Sequence, residues 1–508
     1  MTFSAPKSVS ALWAVSSPYE RARIEAAHTH AVAGTIERTE RDVELVRTRT
    51  GGELRWQRAQ RLVAAEFIHT SSRLTREQET GGVPDPQLHS HVVVLGAERK
   101  DGRYVAVDSR ELFRAARANG AWYRAELAYN LQQLGLEIEG GTGRDRRYFE
   151  IRGVPESLSE RWSARSADID RAAWEFRTRY GRDPRAGELG SITVGTRGTK
   201  THAAAVSVDA TWSAVGEEYG LSREQTQGLY VERERTAQPT RDLARKLLAD
   251  VTRDRSMVPE RDLYARASEL SPRDCHPSEA RRAVGDLARG GELVALEGGM
   301  WTTRELRERE QRTVELASTR AREHAAPVRH ETLERAQAQT EREIGGRLTA
   351  EQREALQTIT GEGGVSVLVG EAGTGKGVVL AAASDAWQRE GYQVIGTAAA
   401  GATAERLAAD ARLERSFTTD GLIGKVERGS EKIDSKTVVV MDETGMADTR
   451  RLSRLAELTA QREGKLVLVG DSAQLSPIGA GGEAGRIMCE SREQQDHEQY
   501  RGVDQGIE

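Results

Sequence analysis

Three apolar runs set the pattern of the C-terminal part of the chain: VSVLV at 365–369, VVVM at 438–441 and LVLVG at 466–470. Each is short and rich in branched residues, as in a strand buried on both faces. The stretches between them carry apolar residues at helical spacing, so strands alternate with helices from Leu348 onward. That is the pattern of a doubly wound parallel α/β sheet. Residues 1 to about 155 read differently. RLVAAEFIH, HSHVVVLG and RYFEIRG are strand-like, while Tyr19–Arg47 and Ser109–Leu134 have helical periodicity. This mixture predicts an α+β domain with an antiparallel sheet and helices. Residues 155–255 read as charged and mostly helical, with the glycine- and threonine-rich GSITVGTRGTKTH as a junction. Residues 256–303 predict a winged-helix-like unit: two short helices, then ELVALEGGMWTT as strand, turn and strand. The Arg- and Glu-rich stretch 304–347 predicts a solvated linker helix. The polar tail 483–508 lacks periodicity and is expected to be disordered. The fold class is therefore multidomain, α+β followed by α/β.

Composition narrows the classes. The 508 residues are 37% hydrophobic, 30% charged and 5% aromatic, enough for several cores with much charged surface. The formal charge of −5 gives no overall nucleic-acid signature, so a DNA-binding surface would have to be local. The two cysteines, Cys275 and Cys489, are far apart and out of metal spacing, which fits a reducing cytoplasm. No membrane-length apolar run and no signal-peptide pattern is present.

The first chemical signal follows the run at 365–369. In GEAGTGKG, Gly370, Glu371, Ala372, Gly373, Thr374, Gly375, Lys376 and Gly377 form a phosphate-binding loop entering a helix near Val378. Its backbone N–H groups suit the phosphates of ATP, and Lys376 reaches the terminal ones. Asp442, ending the second strand, is placed to hold Mg²⁺ through its hydration shell. Glu443 is the candidate base for water, and Gln474 the candidate sensor of the terminal phosphate. Three strand-end motifs in this order within residues 365–475 are a specific signal. Gly377 is a departure, because a Mg²⁺-ligating Ser or Thr usually stands there.

The second signal is PDPQLHSHVVVLG at 84–96. In a strand, His89 and His91 point to one face. His69 ends another strand-like run, and antiparallel pairing of the two would complete a three-histidine metal site. The residues alone leave this site and a set of ordinary polar strand histidines equally open. His28 and His30, in a helical stretch, diverge by about 200° and do not form such a pair.

MTFSAPKSVSALWA, FIHTSSR and DPQLHSHVVV together resemble the relaxase domain of TrwC/TraI-type (MobF) conjugative relaxase-helicases, in detail over residues 1–200. In that family a superfamily-1 helicase follows, and the order of domains extends the resemblance to about residue 482. Residues 201–255 then form a helical connector, and 348–482 a first RecA-like domain. The resemblance implies a divalent metal (Mg²⁺, Mn²⁺ or Zn²⁺) on His69, His89 and His91. It implies single-stranded DNA at a plasmid transfer origin as substrate, within a relaxosome served by a coupling protein. LTAEQ at 348–352 places Gln352 where adenine is recognised, and TAAAGATAERL at 397–407 resembles a segment touching the single strand. The family reaction is transesterification by a tyrosine, followed by ATP-dependent unwinding. That tyrosine and a metal-orienting aspartate lie upstream of the TFSAPKSVS segment in the family and match no position here. The second motor domain of the family lies beyond GDSAQLSPIGAGG. The expectation is a chain truncated at both ends, which binds DNA, metal and ATP without nicking or unwinding by itself. A non-catalytic DNA-binding accessory protein and a plain P-loop NTPase are the alternatives.

Overall fold

The computed structural model describes residues 1–50, 53–74, 82–140, 148–196, 205–231, 240–253, 255–271, 275–371, 373–444 and 449–470. Ala372, Gln474 and the tail 483–508 lie outside the described residues. The chain divides into two compact units, one of Met1–Leu247 with Glu260–Leu287, the other of Leu248–Pro259 with the chain from Ala288 onward.

The first unit opens with β1 (Thr2–Ser4), α1 (Lys7–Val15) and α2 (Pro18–Asp42). A hairpin of β2 (Val46–Thr50) and β3 (Glu53–Gln57) follows, then β4 (Arg61–Ser71), β5 (Pro86–Glu98), β6 (Tyr104–Val105) and α3 (Ser109–Gln133). The main sheet has the order β1-β5-β4, with β6 also on β5, and all its pairs are antiparallel. A small hairpin of β7 (Ile138–Gly140) and β8 (Phe149–Ile151) precedes the helices α4 (Glu156–Arg161), α5 (Ala164–Tyr180), α6 (Ala186–Gly195), α7 (Ala205–Glu218), α8 (Arg223–Gln227) and α9 (Thr240–Val251). The expected antiparallel sheet with helices is present.

Helix α2 starts where its sequence dictates. Ser17 caps it in a reciprocal box with Glu20, and Pro18 occupies the first turn. It stops at Asp42, short of the Arg47 that periodicity suggested. Leu45 and Val46 are fully buried in a separate cluster with Leu62 and Ala97, and Val46 enters the β2–β3 ladder, so tertiary burial overrides the helical pattern. Similarly, the glycine- and threonine-rich junction begins inside α6.

Next along the chain come β9 (Val258–Pro259), α10 (Glu260–Leu270), α11 (Pro277–Arg289), β10 (Leu293–Leu296) and β11 (Met300–Thr303). The expected helices and wing strands form, and β9 joins the wing as a third strand. They do not share one unit, however. Ala265 of α10 packs with Ala118 and Ala121 of α3, whereas the three strands belong to the second unit.

The stretch expected as one linker helix is two, α12 (Arg304–Arg320) and α13 (His330–Ile344). Pro327 lacks an N–H and disfavours helical geometry in its predecessor, and Ala326 takes a φ of 45°. Nor are these helices merely solvated. Val314, Ala317, Leu333 and Ala336 are buried against the C-terminal sheet.

That sheet is built from α14 (Ala350–Thr360), β12 (Val365–Val369), α15 (Lys376–Arg389), β13 (Gln393–Ala398), α16 (Gly401–Ala411), β14 (Arg415–Thr418), α17 (Thr419–Glu427), β15 (Thr437–Met441), α18 (Thr449–Gln461) and β16 (Lys465–Gly470). Its five strands are all parallel, in the order β12-β16-β15-β13-β14. Alternate residues of one strand feed the two faces. Val438 and Val440 join Leu356, Leu380 and Trp387 on one side; Val439 and Met441 join Leu422, Leu452 and Leu455 on the other. Burying each such side chain contributes about 1.5–3 kcal/mol relative to exposure. Continuous apolar runs are what a doubly covered parallel sheet requires.

Candidate metal centre and nucleotide site

Pairing of β4 with β5 sets His69 directly opposite His89, and His91 opposite Phe67. Directly opposed residues of an antiparallel pair share a face, as do residues two apart, so three imidazoles converge. The ring centroids form a nearly equilateral triangle: 5.2 Å for His69–His89, 4.9 Å for His69–His91 and 5.1 Å for His89–His91. One nitrogen from each ring lies within 4.8 Å of the others. A cation with bonds of about 2.1 Å needs nitrogens roughly 3.0–3.4 Å apart, a small rotation away for rings on an open face.

The far nitrogens are already oriented. His89 Nδ1 bonds the Gln87 carbonyl at 2.9 Å, and His91 Nδ1 lies 3.1 Å from Thr2 Oγ1, supplied by the neighbouring β1. The Gln87 carbonyl can only accept, so His89 carries its proton on Nδ1 and keeps the Nε2 lone pair for a metal, while the His91–Thr2 contact forms with either partner as donor. Burial and the neighbouring imidazoles hold the pKa of His89 below its ordinary value, despite the opposing Gln87 bond; burial, His69 and the chain's amino terminus do the same for His91. Both are therefore neutral at pH 7, the state that binds a metal. The donor set fits a divalent cation. Phe67 and Val93 share the histidine face and remain about half exposed, so that face is open to a ligand.

Beneath the sheet lies a feature the sequence did not disclose. Ser90 faces the opposite side and donates to Glu66 Oε1 at 2.6 Å. His28 Nε2 must then donate to Ser90 Oγ at 2.7 Å, which leaves Nδ1 to accept from the Tyr123 hydroxyl at 2.7 Å. His28 and Ser90 are fully buried and Tyr123 nearly so. Both ring nitrogens of His28 are thus taken up by Ser90 and Tyr123, away from the three-histidine cluster, while His30 is exposed. Burial lowers the pKa of His28 to about 4, with a smaller contribution from His89. The sign follows from that depression. Between its ordinary 6.5 and about 4, the unfolded chain binds a proton that the folded one refuses, so stability is lost as pH falls through this window. The full effect is at most about 3 kcal/mol, at 1.36 kcal/mol per pH unit. His28→Leu should flatten that dependence, while lowering stability at pH 7 by about 1–3 kcal/mol for each partner left unbonded. Denaturant titrations of the N-terminal unit at pH 7 and pH 5 test this; an unchanged pH response in the variant would refute it.

The second site lies at the carboxyl ends of β12, β15 and β16. Gly373 and Gly375 adopt φ of 82° and 86°, a left-handed conformation natural only to glycine, and α15 begins at Lys376. Lys376 Nζ folds onto the loop, donating to the carbonyls of Gly370 at 2.5 Å and Glu371 at 3.0 Å. Gln352, in a capping box with Thr349, donates to the Thr374 carbonyl at 3.0 Å and accepts from the Thr349 N–H at 3.0 Å. Its amide also lies 2.4 Å from where a Cβ on Gly375 would be, so a larger residue would have to displace the Gln352 side chain as well as take up a left-handed φ of 86°. A cavity of about 470 Å³ is lined by Glu371, Lys376, Gly377, Arg406, Asp410 and Asp442, among others.

Asp442 accepts from the Glu443 N–H at 2.8 Å, and burial raises its pKa. The Thr444 hydroxyl lies between the carbonyls of Met441 (3.1 Å) and Val469 (2.8 Å), tying the ends of β15 and β16 together. Glu443 has a φ of 52°, uncommon outside glycine, and its carboxylate bonds Arg406 at 3.0 Å and Thr403 at 3.4 Å. The structure thus brings together every described nucleotide-site residue named from sequence. It adds Arg406 and Asp410 from α16; Arg406 lies in the segment 397–407 that the sequence related to the single strand, and no motif signalled Asp410.

Residues 1–219 match the TrwC relaxase family, and residues 347–499 match an AAA domain family. A probable conjugal transfer protein TraA of Sinorhizobium fredii is 32% identical over 265 residues, covering 50% of this chain and 24% of that protein. The multifunctional conjugation protein TraI of Escherichia coli K12 is 30% identical over 232 residues, covering 44% of this chain and 12% of its own length. This chain thus spans about a quarter or less of these relatives. A solved structure of the conjugative relaxase TrwC in complex with oriT DNA, metal-bound, is 34% identical, covering 44% of this chain and 71% of that one with a TM-score of 0.37. Among the described residues no helix is long and apolar enough to cross a membrane. With a TrwC relaxase domain ahead of an AAA domain, the chain is a homologue of the conjugal transfer proteins TraA and TraI.

Proposed function

We propose that the N-terminal unit binds single-stranded DNA at a plasmid transfer origin and holds a divalent cation on His69, His89 and His91 beside the phosphate to be cleaved. The convergence of these three rings, with His89 and His91 oriented by Gln87 and Thr2, is the observation that carries this reading. Such a cation, when bound, polarises the scissile phosphate and neutralises charge on its oxygens. The chain's own contribution is to keep His89 and His91 neutral, to hold their rings through Gln87 and Thr2, and to leave the sheet face free for a strand. No tyrosine is assigned as the nucleophile. Tyr19 is exposed in the first turn of α2 and has the role of a helix-start residue.

The C-terminal unit, in the same reading, binds ATP with Mg²⁺. Gly370–Gly377 wrap the phosphates, Lys376 exchanges its loop carbonyls for terminal phosphate oxygens, and Gln352 recognises adenine. Asp442 holds the hydrated cation, Glu443 acts as base after release from Arg406, and Gln474 senses the terminal phosphate. The two sites together favour a relaxase-helicase over an accessory DNA-binding protein or a plain NTPase.

A labelled single-stranded oligonucleotide carrying a transfer-origin cleavage site, incubated with the chain and Mn²⁺, tests the proposal. Metal-dependent, salt-sensitive binding is expected. A covalent adduct would show that the sequence also supplies a nucleophile. Binding indifferent to metal would favour the accessory protein, and absence of binding would leave the plain NTPase.

A further inference from the structure

At the nucleotide site, Gly377 stands where a hydroxyl side chain normally ligates Mg²⁺, and a glycine offers no atom for that purpose. The space is not simply vacant. A Cβ built on Gly377 would lie 3.2 Å from the Cβ of Asp410 and 3.8 Å from its carboxyl carbon. Asp410 comes from α16, packed beside α15, and lines the same cavity as Lys376, Gly377 and Asp442.

Two further observations set Asp410 apart. It belongs to the last turn of α16, which ends at Ala411 and is closed by Arg412 in the left-handed region. A carboxylate at the negative end of a helix is disfavoured, and no basic residue in that turn offsets it. Among the described residues, the Asp410 carboxylate also has no hydrogen bond or ion pair, although Arg406, one helical turn earlier, is engaged by Glu443. Asp410 is exposed and its carboxylate hydrated, so no protein contact has to break before it turns to a cation beside the phosphate-binding loop.

We infer that Asp410 replaces the missing hydroxyl as an oxygen ligand, direct or through water, for the Mg²⁺ that accompanies the nucleotide, and that Gly377 is the space its side chain requires. This rests on the reading of the loop as an ATP site. A carboxylate is a suitable hard donor for Mg²⁺, which keeps several waters and takes one or two carboxylates beside phosphate oxygens. Asp410 and Asp442 would approach the cation from α16 and β15.

The test is the affinity of the full chain for a fluorescent ATP analogue, in excess EDTA and in Mg²⁺, with Mn²⁺ spectra of the nucleotide complex as a second readout. The wild-type chain should gain affinity from Mg²⁺. In Asp410→Asn that gain should shrink at least tenfold, and the Mn²⁺ signal of the complex should change. Gly377→Ser alone should crowd Asp410 and weaken the gain, whereas Gly377→Ser with Asp410→Ala should recover it by restoring a hydroxyl. A full Mg²⁺ gain and an unaltered Mn²⁺ spectrum in Asp410→Asn would overturn the inference while leaving the ATP site intact. Failure of the wild-type chain to bind the analogue in either condition would overturn the ATP-site reading, and the inference with it.

Discussion

Alanine at both His89 and His91 should abolish specific uptake of a divalent cation by the N-terminal unit. Changes to groups that only orient a metal ligand already cost 10–100-fold in affinity, so losing two of three ligands should cost roughly 10³-fold or more. The effect should be local. The histidine side chains lie on the open face, and the buried set of Leu88, Ser90 and Val92 beneath them is untouched. Mn²⁺ titration calorimetry on the wild-type and double-variant chains, with circular dichroism to confirm retained fold, provides the measurement. His30→Ala serves as a control, since that exposed histidine lies outside the cluster. Equal Mn²⁺ affinity in the double variant would place the metal elsewhere and remove the principal support for the relaxase reading.

Lys376→Ala should have the second largest effect, a loss of ATP affinity of about 10–100-fold. That corresponds to the 1.5–3 kcal/mol expected for hydrogen bonds involving charged groups. Among the described residues, Lys376 bonds only the carbonyls of Gly370 and Glu371, and it is not part of either hydrophobic face of the sheet. Its removal should therefore leave the melting temperature nearly unchanged while nucleotide binding falls. Binding of a fluorescent ATP analogue, measured beside a thermal melt, separates the two. Undiminished binding would argue against the assignment of the loop.

What was legible in the sequence was local. The run VVVM could only be a strand covered on both sides, and its alternate residues do divide between two cores. GEAGTGKG specified the loop because two of its glycines must take left-handed conformations and because its order of residues is tied to phosphate geometry. The period of a strand placed His89 and His91 on one face without reference to anything distant.

Several features depended instead on long-range pairing, which local periodicity does not encode. Whether His69 joined the other two histidines rested on the β4–β5 register, and a slip of one residue would have turned it to the buried side. The periodicity of α2 marked His28 as no ligand, yet only the packing of α2 and α3 beneath the sheet placed it between Ser90 and Tyr123. The extents of α2 and of the segment 304–347 were decided by burial of Leu45 and Val46 and by the turn at Ala326–Pro327. Gly377 shows the division most clearly. From sequence it was a missing hydroxyl; the approach of α16 put Asp410 into that space. The sequence by itself determined which strands, loop and paired histidines would form, because those follow from local stereochemistry. The tertiary structure decided what stands opposite them, because such contacts join residues as far apart in the chain as His28 and Tyr123 or Val365 and Leu466.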